Sequence, residues 1–473
     1  MPESRVPIVH SLLTLFALSS HGLAADGTHD LRPRPADGQM ARVEVQLDVG
    51  GDVKLADEGK TRTLKMSVSA QLVYDEKWLP VRAGLKNAGL RGVRYYRQAK
   101  AAIKIDAGGI EPRLRDARRL IVADEANGQV ALFSPTGALT RDELDLVDLP
   151  ANSLLLDRLL PDRPARVGDH WRHGDVLVGE LLGLDAVSQN SLESELKEVA
   201  GGRARLELVG RVLGAVAGVA TEIEVKAKYR FDMNERRVTG LGLLIKEKRA
   251  IGLVNTGLDV VAKLQLALAP ADDDGELSEA ALARLPLDPR PELLALACES
   301  PTKKFHIYHS RDWHLMTDAG DLLALRYLDR GELVAQCNIS SLADVEPGKG
   351  PTLATFQHDL EQSLGDSFER FAEASDATNS LGHRIYRVVA EGRVSDLPIQ
   401  WHYYLISDRE GHQAVFAFTV ESDLVERLGD ADEALAGTIE FARSRKSAAP
   451  TPAARRPPAR SASQPRGGPT ATR

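Results

Sequence analysis

Residues 169–175 read DHWRHGD and concentrate side chains that could do chemistry. His170 and His173 have the H-x-x-H spacing of some metal-binding pairs, and Asp169 and Asp175 place carboxylates on either side. Imidazole and carboxylate groups bind zinc, and a zinc ion with an open position can activate water for hydrolysis. Such a site requires the side chains to converge, so the element that carries them decides whether it can form.

The flanking residues predict a turn that leads into a strand. Gly168 and Gly174 stand on either side of the motif, and glycine disfavours the interior of a helix. Side chains three positions apart on a strand point to opposite faces, so the two histidines diverge. The residues that still share one face are Asp169, Trp171, His173 and Asp175. We therefore predict a structural corner anchored by Trp171, with the other three as the remaining metal candidates.

No other motif predicts a catalytic residue or a cofactor. The sequence lacks G-x-S-x-G, H-E-x-x-H and a supported S-x-x-K pattern. Seven of the twelve histidines lie in residues 300–442, and their positions predict scattered surface groups. Cys298 and Cys337 could form a disulfide in an oxidising compartment, and two separate buried thiols are the alternative.

The first 24 residues have the pattern of a secretory signal peptide. Arg5 precedes an apolar run over residues 6–18, and Gly22 and Ala24 fit a cleavage site after Ala24. An uncleaved anchor is the alternative interpretation. No later stretch reaches the roughly 18 apolar residues of a membrane helix. We expect an extracytoplasmic protein, periplasmic or secreted, and the Arg-, Ala- and Gly-rich composition indicates a bacterial source.

Charge is unevenly distributed along the 473 residues. The formal net charge is −8, yet residues 443–473 contain eight Arg and Lys and no acidic residue. The rest of the chain is therefore strongly acidic, which argues against a globular nucleic-acid binder. The Pro-, Ala- and Arg-rich composition of residues 443–473 predicts a disordered basic tail, either solvated or in contact with an anionic partner.

The pattern of residues 41–270 predicts one large antiparallel β-domain after a flexible leader at 25–40. Apolar and polar residues alternate, as in ARVEVQLDV, and the Asn127-Gly128 pair marks a hairpin. A helical insertion is expected after Thr140, which suits a helix N-cap.

Residues 271–299 predict an acidic linker with a short helix from Ser278. Residues 300–442 then predict an α+β domain of short strands and two helices. In the first helix, Leu353, Phe356, Leu360, Leu364 and Phe368 form an apolar stripe. The second closes the domain within DLVERLGDADEALAGTIEFA.

Residues 300–442 resemble the PsbP-like superfamily, which includes a photosystem accessory protein, the Ran-release factor and DcrB-type periplasmic lipoproteins. The resemblance is carried by SPTKKFHIYHSRDW with Trp313 as an anchor, by TLATFQHDL, by LGHRIYRV and by YYLISDREGHQAVFAFTVE. It implies an α/β/α-type sandwich with an antiparallel sheet and a role in binding. In the first domain, LPDRPARVGDHW resembles a P-x-x-V-G-D-x-W step of secreted bacterial β-domains of unknown function.

These observations predict an α+β protein that acts as a non-enzymatic binding or accessory protein of the bacterial cell envelope. We expect its partner to be a protein of the envelope. We expect the chain itself to have no cofactor, no membrane span and no nucleic-acid ligand. One alternative is a carrier that holds an apolar small molecule in the curved sheet of residues 41–270. Another is a metal-dependent hydrolase that uses Asp169, His173 and Asp175.

Overall fold

The computed structural model describes residues 27–34, 37–57, 60–82, 88–126, 129–273 and 275–442. The predicted signal peptide, the turn at Asn127-Gly128 and the basic tail lie outside these residues. Within the described part of the chain, no helix has both the length and the apolar character that crossing a bilayer requires.

The first region is an open antiparallel sheet of 13 strands. The strands are β1 (Met40–Asp57), β2 (Lys60–Leu79), β3 (Ala88–Ile105), β4 (Gly108–Ile110), β5 (Leu120–Ala126), β6 (Gln129–Phe133), β7 (His170–Arg172), β8 (Ala186–Asn190), β9 (Glu193–Ala200), β10 (Arg203–Val216), β11 (Val219–Asp232), β12 (Arg237–Arg249) and β13 (Gly257–Pro270). Their order is β6-β5-β3-β2-β1-β13-β12-β11-β10-β9-β7, with β4 beside β3 and β8 beside β10. Strands β1 and β13, the first and last, pair at the centre of the sheet.

Alternation along the strands gives the sheet one apolar and one polar face. On β1, Val43, Val45 and Leu47 are buried, whereas Glu44 and Gln46 between them are exposed. This is the pattern expected of an antiparallel sheet with one solvated face. We call the apolar side the inner face.

The chain covers much of this inner face with its own helical insertion. The insertion contains α1 (Arg141–Val147), a 3-10 turn (Ser153–Leu159) and α2 (Asp175–Leu182). As expected, Thr140 caps α1: its side chain accepts from the Glu143 backbone N–H, and the Glu143 side chain accepts from the Thr140 N–H. The insertion shares one apolar core with the strands, to which it contributes Leu144, Leu146, Leu154, Leu156, Val178 and Leu181.

Buried polar groups fasten the insertion to the sheet. Arg94 Nε donates to Glu76 Oε1 at 2.7 Å, and the Ser153 hydroxyl donates to the same oxygen at 2.8 Å. Arg94 and Glu76 are both buried. Asp157 accepts from the backbone N–H of Val238 on β12 at 2.7 Å. The insertion is therefore held by specific bonds as well as by apolar contact.

Residues of the predicted flexible leader and of the predicted acidic linker lie against the sheet. Leu31, within the predicted leader, is fully buried in the first core. The predicted linker forms α3 (Glu279–Leu282), capped by Ser278 as expected, and α4 (Pro291–Leu294). Leu277 packs with Phe133 on the outer face of the sheet.

The second region contains a three-stranded and a seven-stranded sheet. Its elements are β14 (Leu296–Glu299), β15 (Phe305–His309), β16 (Trp313–Ala319), β17 (Leu322–Asp329), β18 (Glu332–Ser341), α5 (Leu353–Leu364), β19 (Phe368–Thr378), β20 (Arg384–Val394), β21 (Leu397–Ser407), β22 (Gln413–Glu421), α6 (Val425–Leu428), α7 (Ala431–Ala436) and β23 (Glu440–Phe441). The sheets have the orders β14-β15-β23 and β16-β17-β18-β22-β21-β20-β19. Helix α5 packs on one face of the larger sheet, and α6 and α7 pack on the other.

The expected α+β class is wrong. Strands account for 55% and helices for 15%, in three open sheets, so the protein is mostly antiparallel β. Glycines shorten the predicted helices. Gly365 follows the end of α5, so Phe368, expected on that helix, begins β19. Gly429, with φ of 58°, separates α6 from α7 where a single closing helix was expected.

Candidate functional site

The DHWRHGD segment lies at the edge of the first sheet. His170–Arg172 form β7, which pairs with β9, and Gly174 precedes α2. His170 is exposed beside Glu193 and Glu195, whereas His173 is buried. The two histidines therefore diverge, as the strand interpretation requires.

The three metal candidates of this segment have separate partners. His173 Nε2 is 2.7 Å from the Ser194 hydroxyl, and burial lowers the pKa of His173 to about 4. Asp169 accepts from the backbone N–H of Arg166 at 2.9 Å, and Asp175 accepts from the Asn190 amide at 3.1 Å. Among the described residues, no three His, Cys, Asp or Glu side chains are grouped so that they could hold a metal ion.

The two predicted tryptophan anchors and the two cysteines are all partly or fully buried. Trp171 is half-buried, and its indole N–H donates to the Leu159 carbonyl at 2.9 Å. Trp313 is buried in the core of the second region. Cys298 and Cys337 are free thiols, so the possible disulfide is not formed in this structure. Burial raises the pKa of Cys298 to about 11.

A cleft of about 1360 Å³ lies between the two regions. The regions meet on its floor, where the Ala297 N–H donates to the Leu139 carbonyl at 2.8 Å. They also touch at two hairpin turns, where a Cβ added to Gly218 would lie 2.6 Å from the carbonyl oxygen of Gly331. At both places the backbone of one region contacts the backbone of the other.

The first wall is cationic and comes from the segment after β4. Arg115 makes two bonds of 2.6 Å to the carboxylate of Glu143, which is buried beneath it. Arg118 donates from Nε to the Ala138 carbonyl at 3.0 Å, and burial lowers the pKa of Arg118. Arg113 is exposed on the same wall. Of these three arginines, only Arg115 forms an ion pair within the part of the chain that the structure describes.

The second wall combines rings and carboxylates. His306 and Tyr308 project from β15, and His306 Nε2 lies 2.8 Å from Glu440 Oε2 on β23. His309 is buried, and its burial lowers its pKa. Burial also raises the pKa of Tyr308, an effect opposed by the charges of Arg118 and Arg115 across the cleft. The aromatic wall and the cationic wall therefore face each other.

Carboxylates outnumber cations around the cleft. Five of them are exposed and form no ion pair within the part of the chain that the structure describes: Asp142, Glu292, Glu299, Asp312 and Asp430. Unpaired carboxylates facing one cavity create a negative potential there, because low-dielectric walls concentrate the field. The second wall can thus attract a cationic group.

Sequence reasoning did not find this cleft. Its walls come from positions as distant as Arg113 and Glu440, and no local pattern links them. Histidines 306 and 309 were expected among scattered surface groups, yet both line the cleft and His309 is buried. The available signal was the accumulation of arginines at positions 113–119, within the strongly acidic body of the chain.

A second cavity of about 790 Å³ lies beside α2. It is lined by five carboxylates, Asp148, Asp175, Glu180, Asp185 and Asp312, together with Arg311. Burial raises the pKa of Glu180 to about 7. One sequence candidate, Asp175, therefore lies in an acidic cavity, away from the other two.

The inner face of the first sheet retains little space under the insertion. The cavity there measures about 20 Å³ and is lined by groups such as Tyr74, Arg94 and Leu266. This volume suits a water molecule. Farther along β2, Leu64, Met66 and Val68 on the same face are only half-buried.

No family model and no curated protein matches the chain. Solved structures similar to parts of it include a Bacteroides thetaiotaomicron protein at 15% identity and TM-score 0.23, covering 31% of this chain and 48% of that one. Cyanobacterial PsbP from Synechocystis is matched at 12% identity and TM-score 0.26, over 37% of this chain and 100% of that one. Lipovitellin, in a structure that concerns its lipid–protein interactions, is matched at 7% identity and TM-score 0.29, over 51% of this chain and 26% of that one. The chain thus spans about half of the Bacteroides protein and a quarter of lipovitellin, and these values assign it no family.

Proposed function

We propose that the protein is a non-enzymatic binding protein of the bacterial cell envelope that holds part of a protein partner in the cleft between its two regions. The observation that carries this proposal is the cleft of about 1360 Å³, which is built by both regions. Cavities for small molecules usually measure about 300–1,000 Å³ and often lie where domains meet. The larger volume favours a segment of a macromolecule.

The chemistry of the walls supports recognition. Tyr308 offers an aromatic surface, and Arg118 offers a guanidinium held in place by two backbone carbonyls. Aromatic and arginine side chains are enriched among the residues that dominate binding energy at protein interfaces. The envelope location rests on the signal-peptide pattern of residues 1–24.

Photo-crosslinking in the native envelope tests the proposal. A photoreactive amino acid would replace Leu381, which is 54% exposed and lines the cleft, or Val394, which is 46% exposed and lies outside it. We expect a specific adduct of higher mass from position 381 only, weakened at least about fivefold by Arg118→Glu. Equal adducts from both positions, or none from position 381, would overturn the proposal.

A second candidate is a carrier of an apolar ligand, favoured by the inner face beyond the helical insertion. There Val68 lies opposite Ile103 and Met66 opposite Ile105, while Ile110 on β4 remains 56% exposed. Exposed, contiguous apolar surface of this kind commonly marks a binding site.

The carrier hypothesis can be tested with an environment-sensitive naphthylamine dye. Met66→Glu places a charge on the inner face, and Ser67→Glu is the matched change on the outer face. A carrier should lose at least about fivefold in dye affinity with the first change and little with the second. Equal dye binding by both variants would exclude this face as the site.

A further inference from the structure

The chain leaves its last strand at the rim of the cleft. Glu440 of β23 lines the second wall, and the Ala442 N–H donates to the Lys304 carbonyl at 2.7 Å. Residues 443–473 therefore start within three positions of a cleft residue. Any group on this segment is held near the cleft at a high effective concentration.

The composition of this segment complements the wall beside it. Residues 443–473 contain eight Arg and Lys and no acidic residue. The second wall carries Glu299, Asp312 and Asp430, which form no ion pair with the described residues. Arg113 and Arg118 of the first wall repel a basic segment. We therefore expect residues 443–473 to lie along the second wall.

The segment is also long enough to cross the cleft. An extended chain advances about 3.3–3.6 Å per residue, so the four residues up to Lys446 reach about 13 Å. Arg455 and Arg456 lie beyond that point and can reach farther across the cavity. The prolines between these groups favour an extended backbone that has little conformational entropy to lose on binding.

We propose that residues 443–473 bind in the cleft of their own chain, with their cations against Glu299, Asp312 and Asp430. The inference rests on the proposed function in treating the cleft as a binding site. It adds that the second wall holds the chain's own basic segment and that a partner must displace this segment to enter the cleft.

Zero-length carbodiimide crosslinking of the full chain tests this inference, because it joins amines to carboxylates that are in direct contact. Lys446 provides one amine, and Arg456→Lys adds a second. Because residue 456 is many positions beyond β23 along the sequence, a crosslink from it to the cleft would not simply follow from being next to β23. We expect intramolecular crosslinks from both positions to Asp312, Asp430 or Glu299, identified by mass spectrometry. Their yield should be independent of protein concentration and fall at least about fivefold in 1 M salt, which shortens electrostatic range to about 3 Å.

Matched variants identify the receiving surface. Asp312→Asn with Asp430→Asn removes two of the three carboxylates that are proposed to hold the segment. Most crosslinks from the amine introduced by Arg456→Lys to the third, Glu299, should therefore be lost. Glu44→Gln with Asp48→Asn, on the solvated face of β1, should leave them unchanged. Crosslinks spread evenly over the cleft and the outer face, or their absence from the cleft, would overturn the inference. If partner adducts at position 381 persisted in that case, the proposed function would still stand.

Discussion

The inner face of the first sheet and the cleft between the regions are lined by different groups. Leucine and valine side chains of the strands line the inner face, and the helical insertion covers them down to a cavity of about 20 Å³. Arginines, carboxylates and tyrosines line the cleft, which remains open at about 1360 Å³. Apolar surface that the chain can bury contributes to stability, whereas mixed polar surface left open is available for recognition.

Two arginines show the difference directly. Arg94, under the insertion, is 2% exposed and bonds to Glu76 and Ser153. Arg118, in the cleft, donates to backbone carbonyls and forms no ion pair with the described residues. The first residue should therefore matter for stability and the second for binding.

The largest effect is expected from Arg94→Ala. The substitution leaves the buried carboxylate of Glu76 without its cation, and breaking a buried pair in this way costs about 3–5 kcal/mol. Urea unfolding followed by circular dichroism would measure the loss. Replacing both partners, with Arg94→Met and Glu76→Leu, should cost less because no buried charge is left unpaired. A loss under about 1 kcal/mol for Arg94→Ala would show that the insertion is not held by this pair.

Asp157→Asn should stabilise the protein at neutral pH. Burial raises the pKa of Asp157 to about 6, so the folded state binds a proton more tightly than the unfolded chain. The stability contributed by Asp157 is therefore highest below about pH 4 and falls as the pH rises to about 6, by roughly 1–3 kcal/mol. Asparagine keeps an oxygen that accepts from the Val238 N–H.

The measurement is the difference in unfolding free energy between Asp157→Asn and the wild type across pH 4–7. The difference should be close to zero at pH 4 and reach its maximum near pH 7. Asp48→Asn, on the exposed face of β1, is the control and should change stability by under about 0.5 kcal/mol at either pH. A flat difference for Asp157→Asn would contradict the burial of its charge.

His173 should give a pH dependence of the opposite sign and of similar magnitude. Burial lowers its pKa to about 4, so the unfolded chain takes up a proton that the folded state resists. Stability from this residue is present above about pH 6.5 and is lost as the pH falls towards 4, by about 1–3 kcal/mol. His173→Gln should remove that acid-side loss, as measured by urea unfolding at pH 4.5 and 7. The exposed His170→Gln is the control, and an equal slope in both variants would count against a buried neutral imidazole.

Local patterns predicted much of the structure, because alternation and capping depend on neighbouring residues. The strand pattern around Val43, the cap at Thr140 and the strand carrying Trp171 all follow from such short-range preferences. The class was wrong because Gly365 and Gly429 limit helix length, and because the helices are few beside strands of up to 20 residues.

The binding site could not be predicted in the same way. The insertion covers the inner face of a sheet whose central pair, β1 and β13, joins strands that are more than 200 positions apart. The cleft forms because Leu139 meets Leu296 and brings Arg118 opposite Tyr308. The periodicity of a single sequence reports on neighbouring residues and not on either of these long-range contacts. The spacing at 169–175 was therefore a local signal, whereas the cleft depends on contacts between distant segments.

The smallest effect on stability is expected from Arg118→Ala, the counterpart of Arg94→Ala. Arg118 is half-buried, and its hydrogen bonds within the described chain go to the backbone carbonyls of Ala138 and Ala117. Those carbonyls can bind water once the side chain is removed, so the unfolding free energy should change by under about 1 kcal/mol. The same substitution should weaken the adduct formed at position 381 at least about fivefold, because it removes a guanidinium from the first wall. Urea unfolding and the crosslinking assay, performed on the same preparations, compare the two effects. If Arg118→Ala destabilised the protein as much as Arg94→Ala, the cleft would be a structural joint between the regions, and the division between a filled face and an open site would fail.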